Sequence, residues 1–265
     1  MKFIKMNGLG NDYVFIDCRN EEIRDPHLFA QKVSDRHKGI GSDGLVLMLP
    51  DTEADLRMRI FNADGSEAET CGNACRCIAR YAWESGWCRK REINLMTEAG
   101  LTLLKPEIND GKFISASVDM GPVREVIGPM KVTVYESAFT GYYVNIGNPH
   151  YVIFGNPFSD ALIRKYGPLI EKSPDLKTTV NVEFVTSEDN GRLRVRVWER
   201  GSGITRACGT GACAVFAAAK EKGICGEKAE IKLDGGILKI SLDPLTGHII
   251  QTGPAEVNFI GTMNM

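Results

Sequence analysis

Sliding the 265-residue chain along itself by 137 positions, so that Cys71 falls on Cys208, brings other short segments into register without gaps. Arg59-Ile60-Phe61 lies over Arg196-Val197-Trp198, and Cys71-Gly72 over Cys208-Gly209. Gly10-Asn11 lies over Gly147-Asn148, Gly86 over Gly223 and Cys88 over Cys225. The apolar run Leu45 to Met48 falls over Val182 to Val185. One offset that serves sites from residue 10 to residue 225 predicts a duplicated fold, with halves near 1–120 and 121–265. Halves of about 130 residues are each large enough to bury a core. Gly121-Pro122 and Gly128-Pro129, both turn-forming pairs, mark the expected junction.

Each half reads mostly as strands. Leu56 to Phe61 and Leu193 to Trp198 alternate apolar with basic residues, the pattern of a half-buried strand. Tyr13 to Asp17, Phe113 to Val118, Tyr151 to Phe154 and Ile237 to Leu242 are further strands, rich in β-branched and aromatic residues. Asp25-Pro26 opens a helix, and Ser159-Asp160 opens another that is expected to stop at Gly167. Ala74 to Glu84 and Ala212 to Lys222 are apolar on nearly every face and stop at Gly86 and Gly223, so both read as buried central helices. The fold class is therefore α/β, two pseudo-symmetric domains with a sheet wrapped about a central helix in each.

A formal net charge of -2 offers no basic surface for nucleic acid. The longest apolar stretch, Ala212 to Ala219, is too short to cross a bilayer, and the first residues lack the apolar core of a signal peptide. The expectation is a cytoplasmic protein with reduced thiols. Its eight cysteines then serve packing, metal binding or catalysis rather than disulfides. Cys71, Cys75 and Cys77 lack a second pair or a nearby His, which does not resemble a structural zinc site. Cys75 and Cys77 read as core of the first central helix, and Cys88 and Cys225 as structural.

Cys71 and Cys208 differ from the rest because each precedes a central helix. A helix N-terminus presents unpaired N–H groups and a partial positive charge, so a thiol there is expected to ionise more readily and a carboxylate to bind beside it. Gly72, Gly209 and Gly211 let a ligand approach the backbone. Two such half-sites facing one carbon suit inversion of an amino acid: one thiolate removes the α-proton, and the opposite thiol returns one. That chemistry calls for no cofactor and no metal. Two structural caps are the plainer reading, but Ser or Asp would cap better than a retained Cys.

At these residues the sequence resembles the diaminopimelate epimerase family. The resemblance is carried by Lys5 to Tyr13, Asp35 to Gly44, Phe61 to Glu67 leading into Cys71-Gly72-Asn73, Gly147-Asn148-Pro149-His150, Val180 to Phe184, Glu199-Arg200-Gly201, and Ala207 to Gly211. It implies two β-barrel-like, mainly antiparallel domains, 1–118 with 253–265 and 119–252. It also implies a homodimer, and conversion of L,L-2,6-diaminopimelate to the meso form in lysine and peptidoglycan synthesis. By position, Cys71 is the base for the L,L form and Cys208 the acid, with His150 and Glu199 near the reacting carbon. The resemblance makes Gly72, Asn73, Gly209 and Thr210 the cradle of the proximal carboxylate, with Asn11 in the same set. Asn62, Asn148, Asn181 and Arg200, with Glu199, would bind the rest of the substrate, Arg200 gripping the distal carboxylate in a bidentate fork. Asn7, Ala74-Cys75, Ile204 and Arg206 depart from the family's usual residues. Alternatives are a racemase of the same superfamily for histidine, proline or lanthionine, a binding protein that has lost catalysis, and a sugar- or isoprenoid-type isomerase. The last would use carboxylates as acid and base.

Overall fold

The computed structural model describes residues 1–264. The chain divides into two compact units, Met1–Asp119 with the segment from Thr252 onward, and Met120–Gln251. In chain order the first stretch runs β1 (Lys2–Gly8), β2 (Asn11–Asp17), α1 (Pro26–Ser34), β3 (Gly44–Leu49), β4 (Leu56–Asn62), β5 (Glu67–Ala68), α2 (Gly72–Glu84), β6 (Ile93–Thr97), β7 (Gly100–Asn109) and β8 (Lys112–Pro122). The second runs β9 (Glu125–Val134), β10 (Ser137–Asn145), β11 (Pro149–Phe154), α3 (Asp160–Glu171), β12 (Asn181–Ser187), β13 (Leu193–Glu199) and β14 (Gly203–Thr205). It continues through α4 (Gly209–Glu221), β15 (Lys228–Leu233), β16 (Gly236–Leu242) and β17 (His248–Gly253), and β18 (Glu256–Thr262) returns to pair antiparallel with β1.

The duplication is visible in the pairing register. In the first unit β2 and β3 are parallel with Tyr13 opposite Gly44; in the second β11 and β12 are parallel with His150 opposite Asn181. Leu45 faces Phe61 across β3–β4, and Val182 faces Trp198 across β12–β13. The match slips by one residue after the central helices, where Leu56 faces Leu95 but Leu193 faces Ile231. Antiparallel pairs dominate otherwise, as in β6–β7, β7–β8 and β15–β16.

The strands next to the helices are buried on both faces, because a helix covers each side. Val14, Ile16, Leu45 and Leu47 pack with Ala30 and Val33 of α1, and by alternation Tyr13, Phe15, Val46 and Met48 point to the opposite face. In the second unit Tyr151, Ile153, Val182 and Phe184 pack with Ile163 and Ile170 of α3. His150, Val152, Asn181 and Glu183 therefore take the opposite face, toward α4, which packs on β11 and β12. That helix also touches β9, β10, β15 and β16, so the sheet curls around it. Its row of small residues, Ala212, Ala214 and Ala217 to Ala219, lets the strands approach closely, while Val215 and Phe216 fill the space between. Burying each of those two is worth about 1.5–3 kcal/mol.

Local signals explain the helix starts. Asp25 caps α1 by accepting from Leu28 N at 3.0 Å, with Pro26 in the first position, and Ser159 caps α3 through Leu162 N at 3.2 Å. Two expectations are corrected. Helix α3 does not stop at Gly167 but runs through Pro168 to Glu171. A Cβ on Gly167 would lie 2.7 Å from the Trp198 ring, so the glycine admits tight packing here rather than ending the helix, and Ile170 anchors the last turn in the core. Gly121-Pro122 ends β8 and Gly128-Pro129 lies within β9, not in turns. Opposite the second pair the ladder slips between Gly141 and Tyr143, and a Cβ on Gly128 would lie 2.6 Å from the Tyr142 ring.

Candidate active site

Helix α2 starts at Gly72 with extended Cys71 as its N-cap, and the thiol makes no capping bond to the helix backbone. Cys75 N bonds Cys71 O at 2.9 Å, so the earlier N–H groups of the turn are those a helix leaves without intrahelical partners. Two residues of β2 stand beside the sulfur: Tyr13 Oη at 3.6 Å and Asn11 Oδ1 at 3.8 Å. The Asn11 amide is held in that orientation. Its Nδ2 donates to Asp43 Oδ2 at 2.8 Å, and its Oδ1 accepts from Asn73 Nδ2 at 3.0 Å. Asn73 in turn accepts from Arg76 Nη2 at 2.7 Å. Burial, then the neighbouring Cys71, pushes the Tyr13 phenol well above its ordinary value, so it keeps its proton, and either it or the thiol can donate in the contact.

Arg76 was not anticipated in a helix read as apolar, yet it is fully buried. Its guanidinium reaches Pro254 O at 3.0 Å as well as Asn73, tying the helix start to the returning C-terminal segment. A Cβ on Gly8 would lie 2.9 Å from Arg76 Nη2 and 3.0 Å from Asn73 Cβ, so glycine makes room for this brace. Asn62 lies apart from the set, exposed at the end of β4, with Nδ2 donating to Ser66 Oγ at 3.0 Å.

In the second unit Cys208 is the extended N-cap of α4, only 6% exposed, and its sulfur accepts from Gly211 N at 3.3 Å. Thr210 Oγ1 lies 3.5 Å from the same sulfur. Asn148 Nδ2 donates to Thr210 Oγ1 at 3.2 Å, and its Oδ1 lies 3.1 Å from His150 Nε2. His150 Nδ1 lies 2.7 Å from Glu183 Oε1, and neither side chain is exposed. Glu199, on β13, accepts from the Thr205 hydroxyl. Asn181 Oδ1 accepts from Arg200 N at 2.9 Å, while the Arg200 guanidinium is exposed and reaches Thr179 Oγ1 at 3.3 Å. Gly209 O accepts from Gln251 Nε2 at 2.9 Å.

The helix-start argument alone predicts a Cys208 thiol that ionises easily. Here burial pushes it well above its ordinary value, and Glu199 and Glu183 push further the same way. The Thr210 hydroxyl and the Gly211 N–H oppose this but are outweighed. The reversal is physical: a half-charge at a helix end does not offset loss of water and two nearby carboxylates. Cys75 and Cys77, pushed up to about 12 by burial, are inert core residues. Among the described residues no three of His, Cys, Asp and Glu gather as a metal site.

The first unit thus brings together Cys71, Gly72, Asn73 and Asn11; the second brings together Cys208, Gly209, Thr210, Asn148 and His150, with Glu199 close enough to act on the sulfur. Sequence reasoning missed Tyr13, Asp43, Arg76 and Glu183. The offset that matched the cysteines also matches Tyr13 with His150, and that signal was there to be used.

A family model described as diaminopimelate epimerase matches residues 3–126 and 142–258. The chain belongs to the diaminopimelate epimerase family. It is 42% identical to the diaminopimelate epimerase of Methanococcus maripaludis strain C5 over the whole of both chains. It is 46% identical to that of Desulforudis audaxviator, covering 98% of each. Among solved structures, a probable proline racemase from Agrobacterium radiobacter K84 superposes with a TM-score of 0.73 at 16% identity, covering 100% of this chain and 93% of that one. A PhzF-family phenazine biosynthesis protein from Bacillus anthracis gives 0.74 at 12%, covering 100% and 99%. At such low identity those two likenesses show the fold alone.

Proposed function

We propose that this protein is an amino-acid epimerase, an isomerase that inverts one α-carbon of L,L-2,6-diaminopimelate to give the meso form. Cys71 acts as the thiolate base and Cys208 as the thiol acid, and the roles exchange in the reverse direction. The observation that carries the reading is the paired Cys-Gly helix starts, in a chain 42–46% identical to diaminopimelate epimerases along its whole length.

In the forward direction the Cys71 thiolate takes the α-proton while Cys208 delivers its own to the opposite face. One C–H bond breaks and another forms, with no net change in protons. The N–H groups at Gly72-Asn73 and Gly209-Thr210 receive the substrate carboxylate, where negative charge gathers in the transition state. A preorganised donor of this kind is worth about 3–4 kcal/mol in other enzymes. The upward push on Cys208 supports its role as acid, since a thiol that keeps its proton has one to give. The scheme asks for no cofactor.

The far amino-acid head of diaminopimelate falls to Arg200, Asn181, Asn148 and Asn62, with Glu199 between the two ends. An exposed Arg200 held by its backbone to Asn181 suits a bidentate grip on the distal carboxylate. His150 and Glu199 act near the reacting carbon through their influence on Cys208. We place the protein in the cytoplasm, as a homodimer serving lysine and peptidoglycan synthesis.

One assay separates this from the racemase reading. Purified protein supplied with L,L-diaminopimelate, histidine, proline and lanthionine should form meso-diaminopimelate fastest. Racemisation of proline or histidine with no turnover of diaminopimelate would overturn the substrate assignment.

A further inference from the structure

Glu183 is a carboxylate with no exposed surface, set within a strand otherwise filled by Asn181, Val182, Phe184 and Val185. Burying such a group is costly unless it is paired and hydrogen-bonded. Its Oε1 lies 2.7 Å from His150 Nδ1, and its Oε2 has no hydrogen-bond partner. Room for it comes from Gly211, since a Cβ there would lie 2.7 Å from Glu183 Oε1 and 3.2 Å from the Cys208 sulfur. In the first half the equivalent positions hold Val46, Tyr13 and Ala74 in place of Glu183, His150 and Gly211. The two halves therefore differ at all three members of this contact.

From Glu183 the bonds run to Cys208 without a break. His150 Nε2 lies 3.1 Å from Asn148 Oδ1, Asn148 Nδ2 donates to Thr210 Oγ1 at 3.2 Å, and Thr210 Oγ1 lies 3.5 Å from the sulfur. Asn148 Nδ2 occupies one acceptor site of Thr210, which leaves the hydroxyl proton and one lone pair for the contact with the sulfur. We propose that Glu183 is a positioning residue for Cys208: by fixing the His150 ring it sets the Asn148 amide and aims the Thr210 hydroxyl at the thiol. This rests on Cys208 being one of the two acid–base groups.

The charged and titratable groups acting on Cys208 are Glu183 on β12 and Glu199 on β13, with His150 of β11 between Glu183 and the amide. Both carboxylates oppose a negative charge on the sulfur. Glu183 thus has two effects that experiment separates, one on geometry and one on charge. Glu183→Gln keeps the volume and an acceptor but removes the charge; Glu183→Val installs the residue of the first half and removes both.

The test reads three quantities. In a Cys71→Ser background, the pH profile of Cys208 alkylation by iodoacetamide, mapped by mass spectrometry, should move to lower pH in Glu183→Gln, with alkylation about tenfold faster at neutral pH. With both cysteines present, Glu183→Val should lower kcat for diaminopimelate about a hundredfold and raise KM by much less, as expected when the acid is misplaced more than the substrate, although Asn148 and Thr210 belong to the proposed binding set. In the unaltered protein, nitrogen NMR of labelled histidine should show His150 carrying a proton on both ring nitrogens, because each faces an acceptor oxygen. The last holds even where a variant fails to fold. An unchanged kcat in folded Glu183→Val, or a His150 ring nitrogen without its proton, would each overturn the positioning role, and an unmoved alkylation profile in folded Glu183→Gln would overturn the effect of the Glu183 charge on the sulfur. If the unaltered protein leaves diaminopimelate untouched, the substrate reading fails, while the alkylation and NMR results still decide the role of Glu183.

Discussion

Cys71 and Cys208 each cap a 13-residue helix that begins with glycine, and each sits beside an asparagine or threonine oxygen. Around that shared frame the two halves diverge. The Cys71 thiol is partly exposed and makes no capping bond to its helix; the Cys208 sulfur is buried and accepts from Gly211 N. A tyrosine hydroxyl flanks the first sulfur, and a buried histidine–glutamate pair backs the second. Duplication supplied a symmetric scaffold, and substitution at inward-facing positions of β2, β3, β11 and β12 made its two ends chemically unequal. The proposed two-base reaction has use for such inequality, because its resting state needs one base and one acid.

The largest expected effect comes from removing either thiol. Cys71→Ser and Cys208→Ser should each lower epimerisation by about 10²–10⁴-fold with the fold intact by circular dichroism. Full activity in either variant would end the claim that both ends do chemistry.

Next in size is the unequal reactivity of the two sulfurs. Burial and two carboxylates hold the Cys208 thiol well above its ordinary value, so the thiolate fraction is small at any pH below that value. Cys71 should therefore be alkylated at neutral pH about tenfold faster or more, measured by mass mapping. Equal rates would show that the environments differ only in outline.

A smaller effect tests the contact present on one side alone. Gly211→Ala forces a Cβ against Glu183 and should cost about 1–3 kcal/mol, read as a lower melting temperature. Adding Glu183→Val should recover much of that loss, because the first half already combines Ala74 with Val46. Strictly additive losses would mean that the two residues do not oppose each other. The smallest effect belongs to Tyr13→Phe, which removes one hydroxyl beside Cys71. About 0.5–1.5 kcal/mol in transition-state stabilisation, a fewfold drop in kcat, is expected. No change would make Tyr13 a packing residue.

Much of this is legible in the sequence itself. The 137-residue offset predicted a duplicated fold, and the strand pairs Tyr13–Gly44 and His150–Asn181 stand at that offset. Asp25 and Ser159 were readable as caps because their side chains satisfy a local need. What escaped were residues whose meaning depends on a distant partner. Glu183 lies in a run that reads as apolar strand, and nothing local says that its carboxylate faces His150, 33 positions away. Arg76 looks like a surface arginine until Pro254 and Asn73 are seen to surround it. The ease of ionising Cys208 was misjudged for the same reason: the helix end is local, whereas Glu199 and burial arrive through the fold. Gly167 was misread as a stop because its partner, Trp198, lies on another element.

The most direct test of the central claim follows hydrogen at the inverted carbon. With L,L-diaminopimelate in deuterated water, the account predicts that each molecule of meso product formed early in the reaction carries solvent deuterium at its new centre, since the entering proton comes from a thiol that exchanges with water. Meso product that keeps the substrate's own α-hydrogen would contradict delivery by a second group from the opposite face.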